Sequence, residues 1–100
     1  MSSRIAVPKD NIADFCRRNR IQRLSFFGSV LRDDFTPQSD IDVLIEFETG
    51  AKVGFIRFAG IAIELEEILG HRIDLNTPNG LSRYFRDEVI SQSEVMYDAA

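Results

Sequence analysis

Two aspartates, Asp40 and Asp42, flank one isoleucine at the start of a segment with an apolar middle, DIDVLIEFE (40–48). Its β-branched residues and its partial alternation predict a β-strand. Side chains two apart on a strand point to the same face, with Cα atoms roughly 6.5–7 Å apart. Both aspartates are therefore expected on one face, with Ile41 on the other.

The remaining patterns predict a mixed α/β, or α+β, fold with a three- to four-stranded sheet that carries helices. Gly70 is placed to end a helix, and Ser82 is a candidate N-cap. Segment 28–35 starts with a Gly-Ser turn and continues as a short helical turn. The predicted helices are 8–19, 54–70 and 81–92, and the predicted strands are 21–27, 40–48, 71–77 and the final EVMYD (94–98).

The bulk composition sets limits on the class of protein. A chain of 100 residues predicts one domain, 1–100, and a net charge of −4 argues against a protein that coats nucleic acid. One cysteine excludes an intramolecular disulfide and a cysteine zinc cage. No apolar stretch approaches the roughly 20 residues of a membrane span. We expect a soluble, cytoplasmic protein with no membrane or direct nucleic-acid partner.

Asp40 and Asp42 side by side repel each other, so one must take up a proton or a cation must neutralise them. Mg²⁺ prefers oxygen ligands and is usually held by one or two carboxylates plus substrate phosphates. A third acid, Asp74, lies within the predicted strand 71–77. If that strand neighbours 40–48, Asp74 joins the cluster. Three carboxylates can hold two metal ions about 3.5–4 Å apart, the arrangement used in phosphoryl transfer.

Gly28 and Ser29 supply the other half of such chemistry. They follow a predicted strand and precede a predicted helical turn, so that their backbone N–H groups can meet phosphate oxygens. Arg32 can neutralise a phosphate.

Each piece also has a purely structural explanation. The Gly-Ser pair can be an ordinary turn, and an Asp-x-Asp can be a solvated strand end. Simple ion pairs are the alternative for the other charged residues: Asp74 with Arg72 or Arg57, and Arg32 with Asp33 or Asp34. The aromatic residues are ambiguous in the same way: Phe47, Phe55 and Phe58 are expected in the core, and Tyr84 and Phe85 either pack or form a partner surface.

Gly28-Ser29, ten intervening residues and Asp40-Ile41-Asp42 together resemble the Gly-Ser-x10-Asp-x-Asp signature of the polymerase-β-type nucleotidyltransferase superfamily. The surrounding FFGSVLRDDFTPQSDIDVLIEF is similar to the minimal nucleotidyltransferases, the MNT proteins. The later segments LEEILGHRIDLNTP and LSRYFRDEVISQSEVMY resemble the same family, so the likeness covers about residues 20–98.

This resemblance implies the small nucleotidyltransferase fold and a role for each matching residue. Gly28, Ser29 and Arg32 would bind the nucleotide, ATP. Two Mg²⁺ ions would be held by the catalytic acids, which are Asp40, Asp42 and Asp74. Leu31 and Asp33 depart from the usual family residues, which puts only the shape of the nucleotide loop in question.

MNT proteins are commonly antitoxin partners of HEPN-domain RNase toxins. The resemblance therefore implies an adenylyltransferase that transfers AMP from ATP to a tyrosine of a cognate HEPN toxin. Two alternatives stay open at this point. One is a non-catalytic antitoxin that acts by binding alone, and the other is a small-molecule nucleotidyltransferase of the antibiotic-modifying type.

Overall fold

The structure is a computed structural model that describes residues 7–33 and 35–99. Asp34, one of the two predicted ion-pair partners of Arg32, lies outside these ranges. The helices are α1 (Lys9–Arg18), α2 (Phe55–Leu69) and α3 (Arg86–Gln92), and the strands are β1 (Ile21–Phe27), β2 (Ile41–Phe47), β3 (Ile73–Asn76) and β4 (Glu94–Asp98). Two 3₁₀ turns, Gly28–Leu31 and Pro78–Gly80, lie between these elements.

The four strands form one mixed sheet in the order β3-β2-β1-β4. Strand β1 is antiparallel to both β2 and β4, whereas β2 and β3 are parallel. This confirms the predicted mixed sheet, and it also confirms that the strands carrying the three acids are neighbours. Among the described residues, no helix combines the length and the apolar character needed to span a bilayer.

Strand β2 separates two unlike faces of the sheet. Ile41, Val43 and Ile45 are fully buried in the core, which is formed with α1 and α2. Asp42, between the first two, points to the opposite face, because alternate side chains of a strand point to opposite sides. The buried cluster comprises Ile12, Phe15, Cys16, Ile21, Leu24, Phe26, Val30, Ile41, Val43, Ile45, Ile61 and Leu65.

The predicted elements agree with the structure except near α3. Strand β1 has the predicted bounds. Helix α2 ends at Leu69 and is capped by Gly70, whose φ of 64° is the left-handed C-cap conformation. The Ser82 N-cap prediction is wrong, because α3 begins at Arg86. The Ser82 hydroxyl instead accepts a hydrogen bond from the Tyr84 amide at 3.3 Å, which forms a local turn.

Phe55 was also expected in the core, and that prediction is wrong. It lies at the first position of α2 with 94% of its surface exposed, whereas Phe47 and Phe58 are partly buried against the core. The apolar pattern identifies the buried side of a helix from residues spaced three or four positions apart. A residue at the very start of the helix has no such residue before it, so the pattern constrains its burial poorly.

Candidate active site

Gly28 begins the 3₁₀ turn that follows β1, and its backbone lies against the carboxylate of Asp42. A Cβ at this position would overlap Oδ2 of Asp42 and lie 3.1 Å from its Cγ. Gly28 also has a φ of +74°, which side-chain-bearing residues rarely adopt. Glycine is thus required twice, by the conformation and by the close approach. The predicted Gly-Ser turn is confirmed, and it is in direct contact with one of the predicted acids.

Ser29 and Arg32 lie at the start and just after the end of this turn. The Arg32 amide donates a hydrogen bond to the Ser29 carbonyl at 2.9 Å. No side chain caps the N-terminal end of the turn, and the first N–H groups of a helical turn have no acceptor within it. The N-terminal end of the turn, where Gly28 lies against Asp42, therefore offers backbone donors that no side chain caps.

The three acids come together through the parallel pairing of β2 and β3. Asp42 lies directly opposite Asp74, one step after Ile41 opposite Ile73. Asp40 immediately precedes β2, and its side chain is half exposed. Adjacent strands are about 4.8 Å apart, so the Asp42 and Asp74 side chains stand beside each other.

This arrangement disfavours the ionised form of Asp42. Its partial burial, and next the negative charges of Asp74 and Asp40, raise the pKa of Asp42 above its ordinary value, while Arg32 opposes the shift. A carboxylate in this position is stabilised by a cation or by a proton. The described residues therefore place mutually repelling carboxylates beside Gly28.

Arg72 is the residue at this site that the sequence analysis misjudged. Its Nε lies 3.2 Å from Oδ1 of Asp40, and its Nη2 donates to the Gln38 carbonyl at 2.9 Å. Arg72 was considered as a partner of Asp74, but it pairs with Asp40. The signal was present in the sequence as two matching tripeptides, Asp-Ile-Asp and Arg-Ile-Asp, which the parallel register sets side by side.

The acids do not form a ready-made metal cage. Within 7–33 and 35–99, no three or more His, Cys, Asp or Glu side chains converge closely enough to hold a metal ion. The donor chemistry nevertheless fits a hard divalent cation, because all three groups are carboxylates and Asp42 carries the repulsion that such a cation relieves. The metal role of the three acids stays a prediction.

A cavity among the described residues lies away from the acids. It has a volume of about 600 Å³ and lies beside Phe47, Val53 and Phe58, at the opposite end of β2 from Asp40. Its lining includes none of the predicted site residues. We place the candidate site at the acids because that end of β2 combines the carboxylates with the close approach of the Gly28 backbone.

Comparison with known proteins shows the family of this chain. The sequence profile of the family described as "Nucleotidyltransferase domain" matches residues 9–95. A candidate protein adenylyltransferase of Methanocaldococcus jannaschii is 31% identical over 85 residues, which cover 85% of this chain and 89% of that protein.

Two solved structures show the same fold. One is described as a candidate minimal nucleotidyltransferase, with a TM-score of 0.70, 30% identity and 85% of each chain covered. The other contains a tri-AMPylated Shewanella oneidensis HEPN toxin in complex with MNT antitoxin. It matches with a TM-score of 0.64 and 22% identity, over 91% of this chain and 70% of that one.

Proposed function

This chain belongs to the nucleotidyltransferase domain family, and on that premise we propose that it is an antitoxin that transfers AMP from ATP to a tyrosine hydroxyl of a cognate HEPN-family toxin. The observation that carries the proposal is the position of Asp42. It has the Gly28 backbone against its carboxylate on one side and Asp74 opposite it on the neighbouring strand. A phosphate-binding turn and a cation-binding acid pair are the two requirements of nucleotidyl transfer.

In this proposal the site residues divide the work between the nucleotide and the acceptor. Backbone donors at Gly28 and Ser29, with the Arg32 guanidinium, hold the triphosphate. Asp40, Asp42 and Asp74 would hold two Mg²⁺ ions, which when bound neutralise the phosphates and orient them for in-line displacement.

Asp74 is also the proposed acceptor of the hydroxyl proton, because it is the more exposed member of the Asp42–Asp74 pair. The hydroxyl oxygen forms a bond to the α-phosphorus, and the bond from that phosphorus to the oxygen bridging to the β-phosphate breaks. Pyrophosphate leaves. The protein contributes mainly position and charge.

The support for a toxin partner comes from the relatives. The Methanocaldococcus relative is named for protein adenylyltransferase activity, and one structural neighbour is an antitoxin bound to a toxin that carries AMP groups. Both point to a protein acceptor in place of a small molecule.

The test is the intact mass of the neighbouring-gene partner after co-expression with this protein, either wild type or Asp42→Asn. We expect the wild type to add one or more AMP units and the variant to add none. The variant keeps the side-chain shape, so it should still bind the partner in a pull-down.

An unmodified partner in a tight, non-toxic complex with the wild type would contradict the transferase proposal and establish neutralisation by binding alone. An unmodified partner, combined with AMP transfer to a small molecule, would instead identify the antibiotic-type reaction.

A further inference from the structure

The outward side of α2 carries an exposed apolar stretch between the charged residues Arg57 and Glu67. Ile56 is 91% exposed and Ile63 is 59% exposed, and Ala59 and Gly60 between them are also exposed. The opposite side of the same helix already packs into the core through Ile61 and Leu65. A helix that is apolar on both sides is normally covered on both sides.

Gly60 gives a second indication that this face is covered. A glycine inside a helix weakens the helix relative to alanine, so it needs a structural reason. The chain itself supplies none, because a Cβ at Gly60 would have no atom within 4 Å. A glycine on an exposed helix face permits the close approach of another backbone.

The charges of α2 give the third indication, because their order opposes the helix dipole. Arg57 lies in the first turn and Glu67 in the last, whereas a helix favours acids at its start and bases at its end. Both side chains are exposed, and neither has an ion-pair partner in the part of the chain that the structure describes. In an antiparallel pair of such helices, Arg57 of one copy would lie toward the C-terminal end of the other helix, and Glu67 toward its N-terminal end. Both charges would then interact favourably with the dipole of the neighbouring helix.

We propose that two copies of this chain pair through α2, antiparallel across a two-fold axis near Gly60. The symmetry is self-complementary, so each contact occurs twice. Ile56 of one copy then packs beside Ile63 of the other, with the Gly60 backbones in contact. Arg57 of one copy comes within the reach of a long side chain from Glu67 of the other.

This pairing leaves the candidate active site accessible. Helix α2 covers the sheet face that carries Ile41 and Val43, whereas Asp42 points to the other face. The dimer therefore presents two outward-facing sites. The inference does not depend on the proposed reaction.

The first test is sedimentation analysis of the purified protein across a micromolar concentration range, with wild type, Gly60→Leu and Ser91→Leu. Gly60→Leu should fold normally, because the position is open, but its bulk should convert the dimer to a monomer. Ser91→Leu adds comparable bulk at an exposed position of α3 and should remain dimeric. Circular dichroism checks that each variant is folded.

The second test uses the charges. Arg57→Glu or Glu67→Arg alone should weaken the dimer by about two- to fivefold, and the double variant should restore it. A wild type that is monomeric throughout would overturn the proposal, including the case in which α2 binds only a different protein. A dimer that persists in Gly60→Leu would overturn the assignment to α2.

Discussion

At the scale of single residues, the partial burial of Asp42, and next the two neighbouring carboxylates, raise its pKa. A raised pKa means that ionisation of Asp42 opposes folding. Protonated Asp42 thus contributes to the stability of the fold. This contribution is fully present below pH 3.8, the ordinary pKa of Asp42, and is lost as the pH rises through the raised pKa. The residue best placed to bind a cation is thus also the one that weakens the fold when no cation is bound.

Asp42→Asn should therefore stabilise the protein in EDTA at neutral pH. Like charges directly opposite on a sheet are destabilising, and their removal should raise the melting temperature by about 2–5 °C. Adding Mg²⁺ should stabilise the wild type and leave the variant unchanged. The measurement is a thermal melt in EDTA and in Mg²⁺, with Asp87→Asn, an exposed acid on α3, as the control. A lower melting temperature for Asp42→Asn in EDTA would show that the repulsion is absent.

In the proposed function, Arg72 would compete with a metal ion for Asp40. It holds Oδ1 of Asp40 at 3.2 Å, but it is 71% exposed, and such pairs contribute little stability. Arg72→Gln should raise the affinity for Mg²⁺ alone by about two- to fivefold, measured by calorimetry without nucleotide. Arg20→Gln removes another exposed pair, with Glu48 at the other end of β2, and should leave the affinity unchanged. A weaker affinity in Arg72→Gln would mean that Arg72 orients Asp40 for the metal.

At the scale of elements, the turn after β1 depends on Gly28 for two separable reasons, and Gly50 is the control that separates them. Both glycines have a positive φ, but a Cβ at Gly50 meets nothing within 4 Å. Gly50→Ala should cost only the backbone strain, about 1–2 kcal/mol.

Gly28→Ala should cost more than Gly50→Ala, because it also displaces the Asp42 carboxylate. It should further weaken Mg²⁺-ATP binding, which Gly50→Ala should leave intact. Denaturant unfolding and nucleotide titration measure the two effects. Equal losses of stability in both variants would show that the contact with Asp42 is unimportant.

The elements also show how far local sequence patterns reach. Strand β1 and the end of α2 were predictable because their signals are local: a short apolar run, and a glycine after a periodic helix. The start of α3 was not predictable in this way. A serine can cap a helix or close a turn, and only the surrounding backbone decides which. The Asp40–Arg72 pair depends on the register of two distant strands. No single segment contains that information.

At the scale of the whole molecule, the mixed sheet followed from the sequence, and the pairing of β2 with β3 meets the condition under which Asp74 joins the other two acids. The exposed apolar residues of α2 did not follow from the sequence. Periodicity cannot distinguish a helix that is buried on both sides within its own chain from a helix whose second side is covered by another chain. The description of residues 1–100 as one domain stays a prediction, as do the individual roles of the site residues.

The folded molecule should also protect its only cysteine. Burial raises the pKa of Cys16 from 9.0 to about 12. The neutral thiol therefore contributes stability that is fully present below pH 9 and is lost as the pH rises toward 12. Thiol reagents at pH 8 should react with Cys16 only as fast as the protein unfolds. Reaction that is fast without denaturant, while the protein remains folded, would contradict the buried position.

The sheet order has a consequence for heat inactivation. Asp42 belongs to the central strand β2, and Asp40 adjoins it, but Asp74 lies on β3, a four-residue strand at the edge of the sheet. Edge strands have neighbours on one side only, so they open at lower free energy than the core does. The three acids are thus divided between a central strand and an edge strand, and the edge strand is expected to open first. Activity should disappear at a temperature at which the rest of the sheet is still intact.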